Sequence, residues 1–220
     1  VRRSSGSAEP KFRRAAPQAR RDELIAATLA SLSKYGHEGA SVRRISAEAG
    51  VSMGLITHHF RSIDALVAAA FKSLAERLLS QSREPALALA GEPLKSLHAF
   101  FAASFTPQAL DPAIFRTWLV FWSLVPHSAE LRAVRDLTSG ETRATLATLL
   151  TRLKRAPGVP AFRVAPAAIG LSALMDGLWV ELSLAPSGFE PAQAVALCDD
   201  WAQALAAGAF QALRVSAAAG

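Results

Sequence analysis

A single cysteine, Cys198, serves the whole 220-residue chain. One thiol excludes an internal disulfide and suits a reducing cytoplasm. Its ordinary role is that of a small buried hydrophobe rather than a redox sensor. Long apolar runs are missing as well. The stretches "SLHAFFAASFTPQAL" and "TWLVFWSLVPHSA" are interrupted by proline and fall short of the roughly 20 apolar residues that a bilayer requires. "AAIGLSALMDGLWVELSLA" has the length, but Asp176 and Glu181 sit within it, which argues for the core helix of a soluble protein and against a membrane. No apolar region lies near the start, so no signal peptide is expected. Catalytic signatures are absent too: there is no G-x-S-x-G, no H-E-x-x-H and no phosphate-cradling glycine loop. No catalytic residue, metal or cofactor is therefore assigned.

What is present is unevenly placed. Residues 1–21 hold Arg2, Arg3, Lys11, Arg13, Arg14, Arg20 and Arg21 against Glu9 alone. Their net charge equals the +6 of the entire chain, so everything after residue 21 is neutral. A basic arm containing Ser, Gly and Pro implies an anionic partner, with nucleic acid ahead of a membrane surface. Hydrophobic residues make up 51% of the chain, enough for a substantial core.

No proline falls between residues 18 and 84, and no strand-like alternation persists. Helical spacing recurs instead. Leu24, Ile25, Thr28, Leu29, Leu32 and Tyr35 form one stripe that ends at Gly36, where a helix C-terminus favours glycine. Ser41 suits the N-cap of a short helix through Ala49, with Val42, Ile45 and Ala49 inward. Gly50 supplies a tight turn, and Ser52 can cap a third helix ending near Phe60. Ser62 opens a long fourth helix carrying Leu66, Val67, Ala70, Phe71, Leu74 and Leu78. Later prolines bracket helices expected at about 94–105, 112–125, 128–155, 166–185 and 191–214. The expected fold class is all-α.

The adjacent histidines of "AGVSMGLITHHF" decide what the third helix is for. With Ile56 facing inward, Phe60 and Met53 fall near the inner side, and Gly54, His58 and Arg61 on the opposite face, flanked by Leu55 and Thr57. Gly54 weakens the helix by about 1 kcal/mol at a position that no core packing requires. There it lets another surface approach the backbone closely. A metal site would want ligands four residues apart, whereas His58 and His59 diverge by about 100°. Helix, glycine turn and short second helix form a helix-turn-helix whose residues 52–60 enter the major groove. Arg43, Arg44 and Arg61 are placed for phosphates. Ser52, Gly54, Thr57, His58 and His59 are placed for base edges or nearby backbone, and Arg13 and Arg14 of the arm add further contacts.

The run "TLASLSKYGHEGASVRRISAEAGVSMGLITHHFRSIDALVAAAF" resembles the DNA-binding domain of TetR-type transcriptional repressors. The resemblance rests on the glycine after the first helix, "AGVS-G", the "HF" pair and the following Ser–x–acid–x–Leu, and covers roughly residues 20–71. It implies a homodimer on a double-stranded DNA operator, with an all-helical C-terminal domain for ligand binding and dimerisation. Residues 1–19 then form a basic arm, 20–66 the helix-turn-helix domain and 67–220 the sensor and dimer domain. Met53 and Ile63 depart from it, standing where many relatives carry lysine.

Two later stretches suggest what is sensed. "IFRTWLVFWSLVPHSAEL" puts Phe115, Trp118, Trp122 and Val125 on one helical face, and "LSALMDGLWVELSL" puts Ser172, Asp176, Trp179 and Ser183 on another. Tryptophans with a carboxylate suit a methylated cation, while the same spacing also suits an ordinary core. "TW-L-V-F-W", "L-M-D-G-L-W" and "THHFR" further resemble the choline-sensing branch of that family, which implies choline or a relative as inducer. A bulky apolar drug-like ligand is the alternative within regulation. An all-helical enzyme, or an oligomeric module binding DNA without sequence preference, lies outside it. The rows Ile169, Met175, Leu178, Leu182 and Val195, Cys198, Trp201, Ala202, Leu205, Ala209 are expected to form the dimer interface.

Overall fold

The computed structural model describes residues 17–185 and 187–214. Arg13 and Arg14, assigned above to DNA contact, lie outside these residues. Nine α-helices and no strand occur among the described residues. Helices α1 (Pro17–Tyr35), α2 (Val42–Ala49) and α3 (Met53–His59) form the first unit. They close on Leu24, Ile45, Ile56 and Phe60, with Leu66 from the next helix. Ser41 caps α2, its hydroxyl accepting the Arg44 N–H at 3.4 Å. Gly50 turns the chain with φ 63°, a left-handed conformation that costs glycine little. A Cβ on Gly39 would lie 2.3 Å from the Ser31 carbonyl oxygen, so that turn presses directly on α1.

Ser62 starts α4 (Ile63–Ala88), its hydroxyl accepting the Ala65 N–H at 3.0 Å. This helix threads all three hydrophobic clusters. Leu66 belongs to the first; Val67, Ala70, Phe71 and Leu74 meet Leu32 of α1, Phe121 and Leu131 in the second; Ala86 joins the third. Pro85 lies inside α4 rather than bracketing it. Ser96 and Arg152 donate to the carbonyls of Ala86 and Leu87, so packed neighbours satisfy acceptors that the end of a helix leaves open.

Helices α5 (Pro93–Ser104), α6 (Pro112–Leu124), α7 (Ala129–Lys154), α8 (Val164–Leu184) and α9 (Pro191–Ala206) follow within two residues of the expected starts. The last helix is shorter than expected. It ends at Ala206, and Gly208, with φ 74°, turns the chain back so that the Arg163 N–H donates to the Leu213 carbonyl at 2.7 Å. Helix α8 is long and apolar enough to cross a membrane by length and composition, yet it packs on α7 and α9. The rows assigned to a dimer interface divide. Met175, Leu182, Cys198, Ala202 and Leu205 are buried within the protomer, because α8 and α9 turn those faces onto α5 and α7. Of those rows Ile169 is 58% exposed, and Leu184 (63%) and Leu197 (50%), which lie outside them, are exposed apolar residues of the same two helices.

Candidate nucleic-acid interface and ligand cavity

The outer face of α3 is as the helical wheel demands at most positions. Ile56 and Phe60 are buried, Gly54, Thr57 and His58 are exposed, and His59 is half-buried. Met53 differs: it is 57% exposed instead of inward, because it is the first residue of the helix and the core begins only at Ile56. Ser52 stands at the N-cap position, but its side chain makes no capping bond, which leaves the hydroxyl at the surface. A Cβ on Gly54 would meet nothing nearer than the Ser52 Oγ at 4.0 Å. The fold itself therefore does not require glycine there. Thr57 donates its hydroxyl proton to the Gly54 carbonyl at 3.0 Å, so outward it offers a methyl group and an acceptor. The His58 and His59 rings lie edge to face, 5.1 Å apart.

The arginines are unequal. Arg43 is exposed and in no ion pair among the described residues. Arg44 is held 4.3 Å over the Tyr35 ring and 3.2 Å from Glu38. Arg61 reaches across to Glu130, in the first turn of α7, at 3.1 Å. Arg21, counted in the sequence only among the basic residues of 1–21, donates to the His59 carbonyl and covers the Phe60 ring at 4.1 Å. It thereby fixes the end of α3, and its position just over one turn into α1 was the only signal of that role.

A second site lies between α4, α5, α6, α7 and α8, around a cavity of about 320 Å³. Trp118, Trp122, Trp179 and Asp176 all line it. The ring centroids of the three tryptophans are 6.1, 6.4 and 6.5 Å apart. A point between them lies about 3.7 Å from each ring, too close for a methylated ammonium, whose methyl carbons alone need roughly that distance. A cation would therefore rest on the open side of the cluster, where Trp122 is 38% exposed. Trp179 is anchored by its Nε1–H donating to the Ala109 carbonyl at 3.1 Å. Phe115 does not line the cavity. It is buried one turn below Trp118, packing 5.3 Å from Trp179 as its support.

Asp176 opens to solvent at the cavity rim, while the crowding around it raises its carboxyl above the ordinary range. Arg135 and Arg143 oppose that shift and line the same cavity. Both were missed in the sequence, although they share one face of α7 with Thr138, Ser139 and Thr142. Helix α6 also faces the unit of α1, α2 and α3: the Arg116 Nε–H donates to the Ser33 carbonyl of α1 at 3.0 Å. Cys198 is fully buried, and burial pushes its thiol up to about 12, an inert group.

Comparison with known proteins places these two sites in context. Residues 24–70 match "Bacterial regulatory proteins, tetR family", and residues 93–207 match "BetI-type transcriptional repressor, C-terminal". The HTH-type transcriptional regulator BetI of Serratia proteamaculans is 32% identical over 83% of this chain and 90% of its own length. A crystal structure of a candidate transcriptional regulator from Pseudomonas aeruginosa PAO1 is 44% identical, with a TM-score of 0.85, over 93% of this chain and 98% of that one. A Saccharomonospora viridis structure in complex with choline shares the fold at 19% identity and a TM-score of 0.63, over 84% of this chain and 96% of that one.

Proposed function

The chain belongs to the tetR family of bacterial regulatory proteins, with a BetI-type repressor C-terminal domain, and from that premise we propose a specific regulatory cycle. A homodimer binds a palindromic operator in the cytoplasm and leaves it when a small quaternary ammonium compound, choline or a relative, enters the cavity. The observation that carries this reading is the joining of three tryptophans from α6 and α8 with Asp176 at one cavity rim. A trimethylammonium group cannot donate hydrogen bonds, so aromatic faces and a carboxylate are what can select it. The choline held by the Saccharomonospora viridis relative supports the same ligand class.

On the DNA side, Arg43, Arg44 and Arg61 contact phosphates, and Thr57 and His58 meet base edges, with Gly54 and Ser52 allowing close approach. His59 supports the end of α3 from its half-buried position, and Arg13 and Arg14 add sequence-independent attraction. The exposed apolar residues of α8 and α9, Ile169, Leu184 and Leu197, meet a second copy, which sets two reading heads about one DNA turn apart, roughly 34–36 Å. Release follows if ligand binds more tightly to the protomer arrangement that spoils that spacing. Helix α6 links the events, since Trp118 and Trp122 face the cavity while Arg116 holds α1.

Selection of duplexes from a random pool by the full-length protein tests this cycle. Enrichment of a palindrome, and its release by millimolar choline, is the expected result. Enrichment without a two-fold motif, or retention of the motif with every quaternary ammonium tried, contradicts it.

A further inference from the structure

The cavity carries more charge than a simple cation needs. Arg135 and Arg143 line it together with Asp176, so its ionised groups sum to one positive charge. Arg135 is paired only with its exposed neighbour Asp136 at 3.3 Å, and Arg143 is in no ion pair among the described residues. Neither guanidinium lies within ion-pair distance of Asp176, although both act on its carboxyl from farther off. The two arginines are two turns apart along α7, about 12 Å at 1.5 Å per residue, and flank the cavity on the side facing α8.

A bare quaternary ammonium would match the tryptophans and Asp176 but set its charge against guanidiniums that it leaves without a partner in the cavity, a conflict that weakens its binding. A ligand with an anionic group opposite its ammonium removes that conflict. Its methylated cation rests on Trp118, Trp122 and Trp179 beside Asp176, while its carboxylate meets a guanidinium in the fork geometry that arginine favours. We infer that the inducer is a zwitterion, a trimethylammonium joined by a short chain to a carboxylate, read at both ends by the three tryptophans with Asp176 and by Arg135 and Arg143. The inference rests on the quaternary ammonium reading above and specifies its ligand class.

A set of matched ligands separates the two ends without altering the protein. The full-length protein is titrated by calorimetry with glycine betaine and γ-butyrobetaine, with the methyl ester of each, with choline, and with 5,5-dimethylhexanoate. The esters keep the cation and lose the anion. The last compound keeps the shape and carboxylate of γ-butyrobetaine and loses the cation. At least one zwitterion should bind tenfold or more tightly than its own ester, and 5,5-dimethylhexanoate tenfold or more weakly than γ-butyrobetaine. Arg143→Gln or Arg135→Gln should erase the advantage of the zwitterion over its ester while leaving the ester's affinity in place.

If choline and the esters bind but neither zwitterion exceeds its ester, the inference is overturned and the quaternary ammonium reading stands. If 5,5-dimethylhexanoate binds as tightly as γ-butyrobetaine, the cation plays no part and both readings fail. No binding by any ammonium compound overturns both as well.

Discussion

Substituting Gly54 should move stability and DNA binding in opposite directions. Glycine is the weakest ordinary helix former, by about 1 kcal/mol against the best. At Gly54 the structure offers no compensating contact, since a Cβ meets only the Ser52 Oγ at 4.0 Å. Gly54→Leu should therefore stabilise the fold by up to about 1 kcal/mol, which in a chain of this size raises the melting temperature by roughly 2–4 °C. The same side chain would stand between α3 and a DNA groove. Lifting the helix removes the base contacts of Thr57 and His58 together, each worth about 1–3 kcal/mol, so operator affinity should fall at least thirtyfold, about 2 kcal/mol. Thermal melting and fluorescence anisotropy on the selected operator measure the two effects. A variant that melts higher and binds operator normally refutes the placement of α3 in the groove. Gly39→Ala is the contrasting case. Its Cβ would press on the Ser31 backbone at 2.3 Å, and overpacking of that kind costs about 1–3 kcal/mol of stability.

Further outcomes follow from individual contacts. Thr57→Ala and His58→Ala should each cost about 1–3 kcal/mol of discrimination between operator and random duplex, measured by competition binding. Because Glu130 holds Arg61 at 3.1 Å, Glu130→Gln should free the guanidinium for a phosphate, strengthening DNA binding and steepening the salt slope by about one unit, read from anisotropy at several salt concentrations. Ser41→Ala should cost about 1 kcal/mol of stability in a denaturant melt, since the Arg44 N–H loses its cap. Asp176 holds its proton more tightly folded than unfolded, so ligand-free stability should fall as pH rises from the ordinary aspartate range through the raised value. Asp176→Asn should flatten that dependence in melts across pH. Choline affinity should rise over the same window as the carboxylate ionises.

The reading head was legible because local rules determine it. Ser41, Gly50 and Ser62 sit where caps and a left-handed turn require them, and Ile45, Ile56 and Phe60 mark one inner face. Met53 escaped the helical wheel because a wheel says which way a residue points, not whether anything lies opposite. The cavity was legible in part. Trp118, Trp122, Asp176 and Trp179 advertise themselves by spacing, whereas Phe115 shares their stripe yet lies behind Trp179. Arg135 and Arg143 carry no such signal, because α7 is polar along much of its length and its packing with α8 decides which of its polar residues line the cavity. The faces of α8 and α9 were hard to separate for the opposite reason. Helix α8 is apolar nearly all round, and on α9 only Gln193, Asp199, Asp200 and Gln203 mark a polar side, so a broad apolar face is left on each and the sequence does not say which row meets the protomer.

The account turns on whether a methylated cation is recognised by its charge at the tryptophan cluster. Titration calorimetry of the full-length protein with choline and with its neutral isostere 3,3-dimethylbutanol tests this most directly. Choline should release heat and bind at least tenfold more tightly than the isostere. Trp179→Ala and Asp176→Asn should each weaken choline while ligand-free operator binding stays intact. Equal affinities for the two compounds, or no heat from choline at millimolar concentration, would contradict the account and leave an apolar ligand as the occupant of the cavity.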